Sequence, residues 1–444
     1  MKNYLIAGML ALGSLAFKAK AQLPDKVCVG YWENWGTIRL SEVNDAYNVI
    51  CIAFLEADID GSIDNNQVEH LEFTPTNSTG GAFVIRNDIS TLQSKGKKVL
   101  ISVGGANGSF KLENITDKNT FIDELKLFIK QYKVDGVDID IERSTYICNT
   151  GWHSMTNPVS HLQYLVDGLK ELNTWYKSEY GRKMIITMAP EIKYTVGALS
   201  PWGNVCDGAF LPVIEKLGND LDLLMVQLYN SGSIYGIGGN PGPAYSGGSA
   251  DFIVTAVEAL IEGFTSKNSS LSGTYSGLPE EKIAVAVPAC SAAAFSGSYS
   301  TSTIEKAVKY LQGKGSKPGS RTLSKSYPNL RGIMTWSINK DAQSCGNAIS
   351  TLAPKLFDLG GSGSNSISSI KTKDLNVYPN PTNGTLVIES DELINKQLFV
   401  ANIEGKIVKS IRIKSNKETI DLSDLSTGIY YLKSENYTAS VVIK

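Results

Sequence analysis

The sequence predicts an α/β chain: a (β/α)8 TIM barrel followed by a small C-terminal all-β sandwich. Two observations carry the barrel. Eight β-branched, apolar runs alternate with stretches of helical spacing over residues 22–359, an order that fits a closed barrel better than an open sheet. Six of those runs end in polar or aromatic groups, and strand ends are where a barrel collects its chemistry. A third observation carries the sandwich. Behind a Gly/Ser-rich break, short alternating runs recur with turn signals at roughly 8–12-residue intervals.

Taken in order, residues 1–21 read as a signal peptide. Lys2 supplies the positive start, and an apolar run of about 14 residues extends from Tyr4 to Phe17. Ala19-Lys20-Ala21 then offers small residues before Gln22. The run is short of the roughly 20 residues that span a bilayer, and no other uncharged run approaches that length, so no membrane span is expected. Strand runs follow at 27–31, 49–54, 98–103, 136–141, 184–189, 223–228, 283–287 and 332–336. Helical spacing marks 121–132, 161–176, 251–264 and 303–311. Residues 360–370, beginning Gly360-Gly361-Ser362-Gly363-Ser364, form a linker by composition. Residues 371–444 carry strands such as Leu386-Val387-Ile388 and Ile429-Tyr430-Tyr431-Leu432, with Asn383-Gly384 and Glu404-Gly405 as turns.

Composition narrows the function. The chain has 444 residues, 42% hydrophobic and 19% charged, which is globular rather than disordered. Its 42 basic and 44 acidic residues give a net charge of −2, so nothing in the charge balance calls for nucleic acid. The only histidines are His70, His153 and His161, and no His-Glu-x-x-His run occurs. No metal and no cofactor are expected. Six cysteines in an exported chain permit several pairings. Cys28 and Cys51 lie on the first two strands and read as buried apolar thiols. Cys148 and Cys206, after the fourth and fifth strands, are the pair to test first.

The informative segment is Asp135-Gly136-Val137-Asp138-Ile139-Asp140-Ile141-Glu142. On a strand, Asp138, Asp140 and Glu142 share one face and Val137, Ile139 and Ile141 the other. Successive acids then stand about 7 Å apart and point into the barrel. Crowded buried carboxyls resist joint ionisation, so at least one pKa must rise, as a general acid at neutral pH requires. Three readings compete. A solvated edge strand shows the same alternation, but here the opposite face is Val-Ile-Ile. Calcium or magnesium could use the acids, although an EF-hand needs another spacing and a central glycine. A Ser-His-Asp hydrolase lacks its nucleophile elbow. Asp135 falls off the ladder's face and reads as structural.

Asp-x-x-Asp-x-Asp-x-Glu on the fourth strand, Ser102-Val103-Gly104-Gly105 on the third, and the aromatic ends of the first and eighth strands resemble family-18 glycoside hydrolases. Met188-Ala189-Pro190-Glu191, Gln227-Leu228-Tyr229-Asn230 and Met334-Thr335-Trp336-Ser337-Ile338-Asn339 resemble the bacterial chitinase D-like branch. The resemblance runs from about Val27 to Phe357.

That resemblance implies a secreted chitinase cleaving β-1,4 bonds between N-acetylglucosamine units by substrate-assisted retaining catalysis. Glu142 would be the general acid. The substrate's own acetamido oxygen would attack, giving an oxazolinium. Asp140 would hold the acetamido N–H, Asp138 would share a proton with Asp140, and Tyr229 would donate to the acetamido group. Trp336 would floor the distorted sugar. Tyr31, Met188, Glu191, Gln227 and Asn230 would complete the substrate-binding set, with core packing the equal alternative for Met188, and with Ser102 and Gly104 behind the ladder. Trp35, Trp152 and Trp202 extend the groove or serve surface and core roles.

Only about 44 residues separate the seventh and eighth strands. Processive relatives carry an extra domain there, so an open cleft, endo cleavage and transglycosylation are expected. The alternatives are an endo-β-N-acetylglucosaminidase acting on N-glycan cores and a chitin-binding lectin. In the tail, Val377-Tyr378-Pro379-Asn380-Pro381, Asn402-Ile403-Glu404-Gly405-Lys406 and Leu425-Ser426-Thr427-Gly428-Ile429-Tyr430 resemble a type IX secretion system C-terminal sorting domain. That implies export through the periplasm of a Gram-negative bacterium, then release or surface attachment with the tail removed. A carbohydrate-binding or adhesive module is the competing reading, although the tail has no tryptophan. The expected partners are chitin or N-acetylchitooligosaccharides and the type IX machinery, acting on a monomer.

Overall fold

A computed structural model describes residues 23–58, 70–76, 81–108, 110–143, 147–148, 153–239, 242–359, 373–402, 407–434 and 437–444. The expected signal peptide, the linker and Trp152 lie outside these residues. The chain divides into two compact units, residues 1–362 and 363–444.

The first unit is a parallel barrel of strands β1 (Val27–Glu33), β2 (Val49–Asp58), β3 (Lys98–Gly104), β4 (Gly136–Ile141), β5 (Ile185–Met188), β6 (Leu223–Leu224), β7 (Ala284–Pro288) and β8 (Gly332–Trp336). Each pairs in parallel with its neighbours from β7 through β8 and β1 to β6. Bridges Leu224↔Ile283 and Gln227↔Ala286 close the ring between β6 and β7. The strand expected over 223–228 is regular only at Leu223–Leu224. Met225 and Gln227 still donate to Met188 O and Pro190 O at 2.8 and 2.9 Å, but Pro190 has no N–H to return a bond. That missing donor interrupts the ladder and leaves residues 227–230 free of a regular strand at the barrel mouth.

Helices α1 (Gly81–Ser94), α2 (Ile115–Tyr132), α3 (Ser160–Tyr180), α4 (Leu211–Leu217), α5 (Ala250–Glu262), α6 (Thr301–Leu311) and α7 (Ala348–Leu356) occur among the described residues. Helix α2 starts six residues before its apolar stripe, because Asn114 caps it by accepting from the N–H groups of Thr116 and Asp117. It stops at Lys133, held in the left-handed region at φ 59°. On α3, Leu162, Leu165, Val166, Leu169, Leu172 and Tyr176 form one buried stripe at helical spacing, and Gly181 ends the helix at φ 67°.

Strand alternation sorts the apolar residues into two layers. Val27, Val29, Tyr31, Val49, Cys51, Ala53, Ile185 and Ala286 fill the barrel interior. Ile50, Ile52, Val99, Ile101, Val137, Ile139 and Ile141 pack outward with the helices. Cys28 and Cys51 are free, buried thiols. Disulfides join Cys148 to Cys206 and Cys290 to Cys345. The second pairing carries no local sequence signal, since only the barrel brings the segments after β7 and β8 together. Asp135 is structural, accepting from Val99 N, Gln93 and Arg182 at 3.0, 3.0 and 2.9 Å.

The second unit is all-β. Lys373–Asp374, Tyr437–Ile443, Gly428–Ser434, Gln397–Ala401 and Ile407–Arg412 form one sheet, and Asn376–Tyr378, Thr385–Glu389 and Lys417–Asp421 form another. Leu386, Ile388, Leu398, Val400, Ile420, Leu432 and Val441 make the common core that a sandwich requires. Among the described residues, no helix is long and apolar enough to cross a membrane.

Candidate active site

Strand β4 divides its side chains as its alternation dictates. Val137, Ile139 and Ile141 pack outward, and Asp138 and Asp140 are buried on the other face. Asp138 accepts from three hydroxyls: Tyr31 Oη at 2.6 Å, Ser102 Oγ at 2.6 Å and Thr187 Oγ1 at 2.5 Å. Ser102 and Thr187 stand opposite Asp138 in the neighbouring strands, so register alone delivers both donors. Burial raises the Asp138 pKa, and the three hydroxyl bonds oppose that rise.

Asp140 lies one strand step nearer the mouth and Glu142 just past the strand's end. The amide Nε2 of Gln227 donates to Asp140 Oδ1 at 3.0 Å, to Glu142 Oε1 at 3.1 Å and to Ala189 O at 3.1 Å. Burial, followed by the charges of Glu142 and Asp138, pushes the Asp140 carboxyl well above the usual range, against the Gln227 bond. Burial also raises Glu142, again opposed by Gln227. Gly104 allows this packing: at φ +112°, a Cβ on it would lie 2.6 Å from the Asp140 carbonyl oxygen.

These groups open into a cavity of about 650 Å³. Asp140, Glu142 and Tyr229 line it together with Glu191, Gln227 and Asn230. Its aromatic side is Tyr31, Trp35, Phe54 and Trp336, with the Phe54 and Trp336 rings stacked at 5.6 Å and 11°. Tyr31 and Trp35 close on Trp336 at 5.8 and 6.4 Å. Burial first, then the Asp140 charge, pushes the Tyr229 phenol up, so its O–H remains a donor at neutral pH. Glu191 accepts from Arg143 N at 3.3 Å and faces Lys193 at 3.5 Å. Asn230, at φ 53°, accepts from Phe295 N at 2.8 Å.

The structure therefore gathers Glu142, Asp140, Tyr229, Tyr31, Glu191, Gln227, Asn230 and Trp336 around one cavity. Asp138 stands behind it, and Met188 stands apart. The expectation that Met188 lines the cavity is corrected: it is fully buried in the outer core. Thr187 faces Asp138, so the next residue must face the helices. Trp202 is exposed and packs on Tyr235 at 5.9 Å. Sequence reasoning missed Phe54, Glu56, Asn107, Lys340 and the wall at residues 291–295. Phe54 reads as one more apolar residue of β2, and 291–294 is a run of small residues with no chemistry of its own. Among the described residues, no group of three or more His, Cys, Asp or Glu side chains is arranged to hold a metal ion.

Buried carboxyls beside an aromatic wall at a barrel mouth are the equipment a glycoside hydrolase uses. Residues 27–326 match the glycosyl hydrolases family 18 profile, and the chain belongs to that family. Residues 376–444 match the secretion system C-terminal sorting domain. The chain is 41% identical to Chitinase Chi52 of Paenibacillus xylanexedens over 71% of its own length and 59% of that protein's. It is 34% identical to Chitinase ChiA of Flavobacterium johnsoniae over 90% of its own length and 26% of that protein's. It thus spans less than two thirds of either relative. A family 18 chitinase structure from Chromobacterium violaceum superposes with a TM-score of 0.63 at 34% identity, covering 74% of this chain and 83% of that one.

Proposed function

We propose that the chain is an exported endo-chitinase that hydrolyses β-1,4 bonds between N-acetylglucosamine units with retention, the substrate's acetamido group serving as nucleophile. The observation that carries this reading is the Gln227 amide bound to both Asp140 and Glu142 beside Tyr229, in a cavity walled by Trp336. The chitinase names of the relatives support the substrate class.

In this reading Glu142, whose pKa burial raises, protonates the glycosidic oxygen, and the bond electrons leave with the aglycone. The acetamido oxygen closes on the anomeric carbon. Asp140 accepts the acetamido N–H and balances the charge of the oxazolinium, while Tyr229 donates to the acetamido oxygen. Asp138 holds Asp140 in place and shares its proton. Glu142, now a carboxylate, takes a proton from the incoming water. Trp336 offers a flat apolar face to the distorted ring. Residues 22–359 form the catalytic unit in this reading. Residues 371–444 address the chain to type IX export across the periplasm and are removed at the cell surface. The 43 residues 289–331 hold one short helical turn and the barrel helix α6, with no strand, which supports an open cleft and transfer to sugar acceptors.

The test is mass spectrometry of products from a mixture of N-acetylchitohexaose and an N-glycoprotein. Di- and trisaccharides with the glycoprotein intact support the proposal, and products longer than the substrate add transglycosylation. A glycoprotein trimmed to one N-acetylglucosamine, with the hexamer intact, overturns it in favour of an endo-β-N-acetylglucosaminidase.

A further inference from the structure

The wall after β7 carries an unusual ring. Residues 291–294 of the cavity lining are Ser-Ala-Ala-Ala, and Phe295 follows with a side chain 100% exposed. A phenylalanine left wholly in water is unfavourable, and a loop tip free to move would fold it inward. This loop is not free to move. The Asn230 side-chain oxygen accepts from Phe295 N at 2.8 Å and from Ser296 N at 3.3 Å, and Asn230 N donates to Ser296 O at 3.0 Å. Tyr299 Oη donates to Leu228 O at 2.6 Å, and the Cys290–Cys345 disulfide anchors the loop's other end. Between them, Gly297 runs so close to the end of β6 that a Cβ on it would lie 3.2 Å from the Tyr229 Cα. The backbone that bears Phe295 is thus stitched directly to the residues after β6, which include Tyr229.

We infer that Phe295 is a specificity-determining residue: a preorganised platform for the apolar face of a sugar unit beyond the one held over Trp336. This rests on the proposed function. A pyranose presents a flat C–H face that packs on an aromatic ring. Fixing the loop in advance removes the ordering cost that a mobile platform would impose on binding. Phe295 borders the same cavity as Glu142 and Tyr229, so a chain lying across the reacting groups extends past it. Asn230 is then a positioning residue, acting through the loop backbone.

The experiment compares kcat and KM for N-acetylchitotriose through N-acetylchitohexaose in the full chain, wild type against Phe295→Ala and Phe295→Trp. For Phe295→Ala, kcat/KM should fall about tenfold on the hexamer, mainly through KM, and about two- to threefold on the trimer. Phe295→Trp should restore the hexamer value. A loss of the same size at every chain length, or none, overturns the inference while leaving the chitinase reading intact. A wild type inert on every oligomer defeats both. A dimer that dissociates on Phe295→Ala with an unchanged chain-length series assigns the ring to self-association and overturns the inference as well.

Discussion

Gln227 and Glu142 come from segments two strands apart around the barrel, yet the Gln227 amide nitrogen donates to Glu142 Oε1 over 3.1 Å. The same nitrogen donates to Asp140 Oδ1 over 3.0 Å. A hydrogen bond to a carboxylate favours its ionised form, whereas burial favours the neutral one. Gln227 therefore limits how far burial lifts either acid.

Gln227→Met keeps the length of the side chain and removes the donor. Both carboxyls should then titrate higher. In the proposed mechanism the general acid acts protonated, so the rate falls as pH rises through the Glu142 pKa. The alkaline limb of the kcat profile should thus move to higher pH in the variant, with kcat itself lower by about tenfold or more from lost orientation. A limb that stays in place or moves down would contradict the role given to Gln227.

Glu142→Gln removes the proposed proton donor and keeps the shape. Activity on N-acetylchitohexaose should drop by about 10²–10⁴-fold. Calorimetric titration should still detect oligosaccharide binding, because the aromatic wall of Trp336, Phe54 and Trp35 is untouched. Loss of binding along with rate would indicate a fold defect instead of a chemical one.

Asp140 offers a stability test with a definite sign. Its folded pKa lies well above the ordinary value near 3.9. Between those two values the folded chain holds a proton that the unfolded chain has released, so stability falls as pH rises through that window. Asp140→Asn has no such penalty. Its melting temperature should exceed wild type by a few degrees at neutral pH, and the gain should vanish towards about pH 4. The proposed chitinase activity should be largely lost at the same time, an opposition of stability and function. Equal melting temperatures across the pH range would refute the burial argument for Asp140.

Much of this molecule is written in local pattern. Strands β4 and β8 match the expected 136–141 and 332–336, because apolar alternation and a glycine start bound each one. The carboxyl face was legible for the same reason, since period two fixes which residues share a side. What stayed hidden depends on long-range closure. Phe54 joins the site only because β2 brings it against Trp336. Cys290 meets Cys345, and Asn230 meets Phe295, only once β6, β7 and β8 stand side by side. Lys340 enters from a helix after β8 whose sequence carries no catalytic pattern. For Met188 parity decides between the cavity and the core: Thr187 stands opposite Asp138, so Met188 faces outward with Ile139.

That parity makes Thr187 and Met188 a paired test. They are adjacent in β5, opposite Asp138 and Ile139 respectively. Met188 is fully buried among outer apolar residues, so Met188→Ala should cost about 2–5 kcal/mol of stability in denaturant unfolding. At temperatures where it stays folded, its KM for N-acetylchitohexaose should match wild type, because the side chain does not reach the cavity. Thr187→Val reverses the balance. It preserves shape but removes one of the three hydroxyl donors to Asp138, leaving that buried carboxylate less well satisfied. The Asp138 pKa then rises, the proton that the proposed mechanism shares between the two acids moves toward Asp138, and kcat should fall with KM little changed. A Met188→Ala variant with a raised KM and native stability would place the thioether against substrate and overturn the assignment of strand faces.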